Sequence, residues 1–415
     1  MSDSAPDVSA TSLNVQCCIV GGGPAGMMLG YLLARSGIKT VVLEKHADFF
    51  RDFRGDTVHP STLNVMQELG LLQEFLKVPH DEVARLTAQF GTTSIRLADL
   101  SRLDTVCPFI AFMPQWDFLN FLDEKGKRFP NLSVLKSTEA AELIKDGERV
   151  TGVVAKTQKG PLHINADLTV ACDGRHSMMR EQAGMTVVDI GAPMDVLWFR
   201  VGKPQGSAES VFARIQTGQM MVMLDRTTYW QCAYVIAKNG YEAVKAKGLD
   251  EFRSNIVKLA PGTREHIGDI KSWDDVKLLS VKIDRLTRWA RAGFLCIGDA
   301  AHAMSPVGGV GVNLAVQDAV ATANLLFDKF GPGGPSLADL DRVQERRLFP
   351  VKATQAIQVL VQNKLINRAI SDKEFKPPLP ARIIGTIPFL QGLTARAIGI
   401  GVRPEHVHSV EAKTA

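Results

Sequence analysis

Gly21-Gly22-Gly23-Pro24-Ala25-Gly26 follows the apolar run Val15-Gln16-Cys17-Cys18-Ile19-Val20, and Glu44 ends a second run, Thr40-Val41-Val42-Leu43. Gly21 permits a tight turn, Gly23 lets a pyrophosphate approach the backbone, and Gly26 lets a helix pack closely on a strand. A helix beginning at Pro24 and Ala25 presents free N–H groups and a positive dipole end to phosphates. Glu44 is placed to accept hydrogen bonds from a ribose hydroxyl. Strand, glycine turn, helix, strand and acid together predict a dinucleotide site.

Two later groups narrow the dinucleotide. Phe294-Leu295-Cys296-Ile297 runs into Gly298-Asp299-Ala300-Ala301-His302, and then into Pro306-Val307-Gly308-Gly309-Val310-Gly311-Val312-Asn313. A carboxylate at a strand end beside a glycine can bind a chain of sugar-like hydroxyls. The glycine-rich loop brings backbone N–H groups and a helix N-terminus to a flat polar ring edge, where they would stabilise the negative charge of a reduced flavin. Asp299 is therefore expected to matter far more for cofactor retention than Asp318, which lies inside the following helix. Midway, Leu168-Thr169-Val170-Ala171-Cys172 leads into Asp173-Gly174-Arg175-His176-Ser177, a strand-end turn with Ser177 as helix N-cap.

The elements that must position these groups are legible from periodicity. Ala25, Met28, Leu29, Leu32 and Leu33 form one apolar stripe that predicts a helix, with Gly37 closing it. Ala315, Ala319, Ala323 and Leu326 mark a second helix. Met220 to Leu224 and Tyr229 to Ile236 predict an antiparallel hairpin turning at residues 225–228, with a further strand over Val196–Val201. Prolines 377, 378, 380 and 388 interrupt a mainly helical last seventy or so residues. Because the cofactor motifs sit near residues 20, 173 and 299, their domain must be discontinuous.

In order and spacing the three groups resemble the single-component FAD-dependent aromatic hydroxylases related to para-hydroxybenzoate hydroxylase, over roughly residues 14 to 350. The resemblance implies an α/β protein: a discontinuous Rossmann-type FAD domain (1–79, 105–186, 276–340), an antiparallel sheet substrate domain (80–104, 187–275), and a helical C-terminal segment (341–415). It implies that Gly21, Gly23, Pro24, Ala25, Gly26 and Glu44 hold the ADP half of FAD. Gly298 and Asp299 would hold the ribityl chain, with Asp173 supporting FAD and transient NADH or NADPH use. Gly311, Val312 and Asn313 would meet the isoalloxazine edge, and Arg54 and Gln115 the phosphate or ribityl region.

In such an enzyme the reduced flavin reacts with O2 to give a C4a-hydroperoxide that attacks an electron-rich ring, so a dry, largely apolar pocket is needed. Trp198, Met221, Met223, Trp230, Gln231 and Tyr234 are candidate lining. Pro306 would restrict the backbone near the reacting ring, and Asp56 and His59 are the candidate general bases for a phenol. The expected partners are a small aromatic or polyketide-like substrate and O2, with a homodimer left open.

Composition sets bounds around this. A chain of 415 residues, 45% hydrophobic and 22% charged, with net charge +4, has room for two or three domains and no basic block for nucleic acid. Cys17, Cys18, Cys107, Cys172, Cys232 and Cys296 include no C-x-x-C pair; they are expected to be reduced core residues, with no metal site, in a cytoplasmic protein. No apolar leader or membrane-spanning run is expected, and the interrupted apolar stretch from Ile387 to Val402 is expected to pack on the body rather than on a membrane surface. A second G-x-G-x-x-G and the W-x-W-x-I-P pattern of flavin halogenases are absent. A related flavin reductase of isoprenoid double bonds, or a lipid-escort protein of the same fold without flavin, remains as an alternative.

Overall fold

The computed structural model of the chain describes residues 11–50, 57–204, 212–226, 228–366 and 376–412. Arg54 and Asp56 therefore lie outside the described residues.

Short runs rich in Val, Ile and Leu build the first sheet. Its parallel strands lie in the spatial order Phe294–Cys296, Gly160–Ala171, Thr11–Val20, Thr40–Leu43 and Leu132–Leu135. Ile19, Val41, Val42, Leu168 and Val170 are all buried, as a parallel sheet covered on both faces requires. Glu139–Asp146 and Arg149–Thr157 extend it antiparallel beside Gly160–Ala171. The register decides the site. Val20 lies opposite both Ala171 and Leu43, and Ala171 lies opposite Cys296. The strands end level, so Gly21, Glu44, Asp173 and Gly298 emerge in one row at their carboxyl ends, where open α/β sheets bind ligands.

Helices Pro24–Arg35 and Gly311–Leu326 follow two of these strands and pack on each other. Their expected stripes are buried throughout, and Gly37 closes the first helix at φ +84°. Gly298 marks where the two meet: a Cβ there would lie 3.1 Å from Ala25 Cβ and 3.5 Å from Ala315 Cβ.

The second sheet has seven strands, in the order Lys277–Leu279, Met194–Gly202, Tyr229–Ala237, Gln219–Arg226, Ala213–Gln216, Arg85–Phe90 and Thr93–Asp99. The expected hairpin is longer than its sequence implied. Arg226 pairs with Tyr229, so the pairing runs closer to the turn than expected, and residue 227 lies outside the described residues. One correction concerns direction. Ala213–Gln216 runs parallel to Arg85–Phe90, because the latter arrives from a distant part of the chain and no hairpin fixes its sense.

Both faces of this sheet are covered. Helix Leu249–Leu259 lies on one, where Phe252, Ile256 and Leu259 pack with Leu197, Phe199, Met221, Met223, Trp230 and Tyr234. The alternate residues face the other way. Leu224, Val222 and Trp198 pack with Ile110 and Phe112, while Met220 and Val235 pack with Val307.

Toward the C-terminus, Ser336 and Asp339 form a capping box for helix Leu337–Val361. Helices Leu379–Thr386 and Pro388–Gly399 then pack on strand Thr93–Asp99. The tail returns to the first sheet's helices: Arg35 Nη1 donates to Ser409 O at 2.7 Å, and Ala412 N donates to Arg35 O at 2.8 Å.

Candidate cofactor and substrate site

The glycines after the first strand are required for different reasons. A Cβ on Gly21, at φ +109°, would sit 2.4 Å from Cys172 O, and one on Gly26 would sit 2.0 Å from Gly21 O. Backbone packing alone forbids a side chain at either. Gly23 differs, since a Cβ there would meet nothing within 4 Å. The open space in front of it is where a pyrophosphate would lie. No side chain caps the Pro24 helix, so its first-turn N–H groups face that space.

Glu44 closes one end of the row. Its Oε2 accepts from Gly22 N at 3.2 Å and its Oε1 from His46 N at 3.0 Å, which fixes the carboxylate. At the other end Asp299 is one-third exposed and accepts from Arg175 Nη2 at 3.0 Å, so the second and third sequence motifs are joined by an ion pair. Asp173 is buried. Burial pushes its carboxyl up, opposed by hydrogen bonds from Ser177 and the Met179 N–H, and its Oδ1 has no hydrogen-bond partner. Ser177 caps its helix as expected, accepting from Arg180 N at 3.0 Å.

The loop from Pro306 to Val310 is held from below. Gly308 and Gly309 have φ +81° and +64°, a backbone that favours glycine. Thr57 Oγ1 donates to Gly309 O at 2.8 Å. Gln358 accepts from Ser305 N and donates to Ser305 O and Val307 O, while Gln362 donates to Ser305 Oγ at 2.5 Å. Gly311 opens the next helix with no side-chain cap, and a Cβ there would meet nothing within 4 Å, so Val312 and Asn313 stand at a free helix N-terminus. The Asn313 side chain is otherwise engaged: its Oδ1 accepts from His59 N at 2.9 Å and Thr62 Oγ1 at 2.6 Å. Gln115 is the first residue of helix Gln115–Gly126, at an end with no side-chain cap.

These residues fit FAD. Two uncapped helix N-termini, an open cradle at Gly23, strand-end acids and an orphaned buried carboxylate oxygen at Asp173 all lie along the carboxyl ends of one sheet.

Two expectations change. Met221 and Met223 point to the helix Leu249–Leu259 face, opposite to Trp198 and Gln231, as do Trp230 and Tyr234. A strand alternates its side chains, and methionines on odd positions cannot share a pocket with residues on the facing side. His59 is fully buried and its Nδ1 lies 2.8 Å from Ile398 O, a carbonyl that can only accept, so the proton sits on Nδ1. Burial pushes its pKa down to about 4, against that hydrogen bond. It is a poor proton acceptor for a phenol and serves instead to hold the backbone next to Asn313.

Several functional contacts had no local sequence signal. Arg175 and Arg180 are examples; Arg180 is buried and donates to Ala300 O at 3.2 Å and Arg175 O at 2.7 Å. Gln355, Gln358 and Gln362 follow an i, i+3, i+7 spacing on one helix, a polar stripe that could have been noticed.

The sheet, its level strand ends and the two free helix N-termini define a flavin-dinucleotide-binding protein. A family model described as FAD binding domain matches residues 14–356. The 6-methylpretetramide 4-monooxygenase of Streptomyces rimosus is 30% identical over 365 residues, which cover 87% of this chain and 87% of that protein. Para-nitrophenol 4-monooxygenase of Pseudomonas sp. (strain WBC-3) is 25% identical over 344 residues, covering 80% and 82%. The crystal structure of p-nitrophenol 4-monooxygenase from Pseudomonas putida DLL-E4 shares the fold, with TM-score 0.73 and 21% identity over 92% of this chain and 96% of that one. The chain belongs to the FAD-binding-domain family, as an FAD-dependent oxidoreductase of the monooxygenase kind.

Asp299→Ala is expected to weaken FAD binding by roughly ten- to a hundredfold, the loss of one charge-assisted hydrogen bond of about 1.5–3 kcal/mol. The exposed Asp328, paired with Lys329, is the control, and Asp328→Ala should leave the affinity unchanged. Titrating FAD into each apoprotein measures this; equal dissociation constants for folded variants would remove Asp299 from the site.

Proposed function

We propose that the chain uses NADH or NADPH and O2 to place one oxygen atom on an electron-rich aromatic or polyketide-like substrate. The observation that carries this reading is the pairing of the cofactor loop with an apolar sheet face. Val307 packs on the cluster that includes Met220 and Val235, and the adjoining cluster holds Trp198, Val222, Leu224, Phe112 and Phe212. Bound FAD would supply two-electron transfer and the activation of O2. Gly21, Gly23, Gly26 and Glu44 would hold its ADP half, Asp299 its ribityl chain, and the Gly311 helix N-terminus its ring edge, with Arg54 and Gln115 assigned to the phosphate or ribityl region.

The chain's own part is to orient the ring and keep water out. Pro306 and the glutamines beneath it fix the loop against which the ring would rest. Trp198 Nε1 is buried without a hydrogen-bond partner, a donor suited to a substrate oxygen, and Gln231 shares its sheet face. Asp56 is kept as the candidate base. The relatives that act on 6-methylpretetramide and para-nitrophenol support a phenolic or polyketide substrate.

Substrate occupancy is expected to speed NAD(P)H oxidation several-fold. The test uses the FAD-loaded protein with para-nitrophenol, 2-aminobenzoylacetate and hydroxylated polycyclic aromatics as probes. Trp198→Phe should raise KM for an accelerating probe more than it changes kcat, since the lost hydrogen bond holds bound substrate. Oxidation that no probe accelerates, or Trp198→Phe kinetics identical to wild type, would count against this pocket.

A further inference from the structure

The two C-terminal helices carry a stripe of large apolar residues on the side that faces away from their own protein. Several inward positions of Leu379–Thr386 and Pro388–Gly399 are small, Ala381, Gly385, Ala395 and Gly399, and they lie beside the buried Gln391 and the partly buried Ile398. Ala381 joins the cluster around Ile95 and Phe90, and Ala395 joins that of Leu224 and Phe112. A Cβ on Gly385 would lie 2.6 Å from Ile95 Cγ2, and one on Gly399 would lie 3.2 Å from Leu100 and from Pro60, so the seating is close. Five large apolar residues point outward. Leu379, Ile383 and Ile387 recur at i, i+4 and i+8, and Phe389 and Leu393 continue the stripe beyond Pro388. Leu379 is 65% exposed and Phe389 70% exposed. An ordinary surface helix does the reverse, burying its large apolar side chains.

Charge identifies the occupant. From residue 376 to 404 the chain has Lys376, Arg382, Arg396 and Arg403 and neither Asp nor Glu. Arg382, Arg396 and Arg403 are exposed beside the apolar stripe. A second copy docking through the same face would bring a surface whose charges are all positive against itself, with no acid to pair them. An anionic lipid surface instead accepts both the stripe and the cations. No helix among the described residues is long and apolar enough to cross a membrane, so the contact would lie in the interface plane.

We propose that this helix pair docks the protein on an anionic membrane surface. Its inner face lies over the Leu224 and Phe112 cluster beside Trp198, so docking would bring the substrate side of the second sheet close to the lipid.

Co-sedimentation of the FAD-loaded full chain with phosphatidylcholine vesicles, with and without phosphatidylglycerol, tests this independently of turnover. Binding is expected only to the phosphatidylglycerol vesicles, to weaken with added salt, and to fall about tenfold or more in Phe389→Ser/Leu393→Ser. Arg382→Glu/Arg396→Glu should lose binding too, and all four positions are exposed, so the fold should survive. No binding by wild type, equal binding to neutral vesicles, or unchanged binding by both double variants overturns the proposal. A wild-type dimer that Phe389→Ser/Leu393→Ser converts to monomer, with no vesicle binding, also overturns it and makes the face a contact between copies.

Discussion

Asp318→Ala is expected to destabilise the folded protein by about 3–5 kcal/mol, the cost of removing one partner from a buried ion pair. Asp318 is fully buried and accepts three hydrogen bonds: from Arg347 Nε at 2.9 Å, His302 Nε2 at 2.6 Å and Gly298 N at 3.0 Å. Burial pushes its carboxyl up, but His302 and Arg347 outweigh that and hold it below the usual aspartate range. Arg347 is only 1% exposed and also donates to Glu405 Oε1 at 3.1 Å, which Arg346 reaches at 2.7 Å. Alanine at 318 leaves a buried guanidinium with one carboxylate instead of two and strips the Gly298 N–H of its acceptor. The C-terminal tail and the Gly298-Asp299 turn would both loosen. Urea unfolding of the FAD-loaded variant measures the loss; a change below about 1 kcal/mol would mean that the network is not under load.

His59 gives the second large effect, and its sign follows from its low pKa. In the unfolded chain the imidazole titrates near its ordinary 6.5, and in the folded protein at about 4. As pH falls below the first value the unfolded chain takes up a proton that the folded protein refuses. The stabilisation is therefore whole above about pH 6.5 and lost as pH falls toward 4. A shift of this size corresponds to about 3 kcal/mol. His59→Gln should flatten the fall in unfolding free energy across that window, whatever it does to stability at neutral pH. Parallel curves for variant and wild type would contradict the assignment.

What the sequence disclosed, and what it concealed, divides along physical lines. Gly21 and Gly26 are legible because backbone crowding leaves no choice of residue, Glu44 because it directly follows an apolar strand, and Asp299 because only one glycine separates it from the apolar run Phe294-Leu295-Cys296-Ile297. Ser177 declares itself by capping chemistry that acts within three residues. The pocket-facing side of the second sheet was not legible. Strand alternation identifies an inner face only when the other face is polar, and here helix Leu249–Leu259 buries Met221, Met223 and Tyr234 as thoroughly as the cluster with Ile110 and Phe112 buries Leu224. Arg175 meeting Asp299, and Arg347 meeting Asp318 and Glu405, join residues far apart in the chain that no local pattern connects. Helix periodicity places Asp318 inside its helix but reports burial, not the partner found there.

The most direct measurement is the fate of labelled oxygen. The FAD-loaded protein is supplied with NAD(P)H, a probe that accelerates its oxidation, and ¹⁸O-labelled O2, and the product is weighed by mass spectrometry. The product should carry one heavy oxygen atom, with none entering from labelled water, and turnover should stop when O2 is removed. Product oxygen drawn from water, or turnover that continues unchanged without O2, would contradict a monooxygenase and point to a flavin reductase on the same fold.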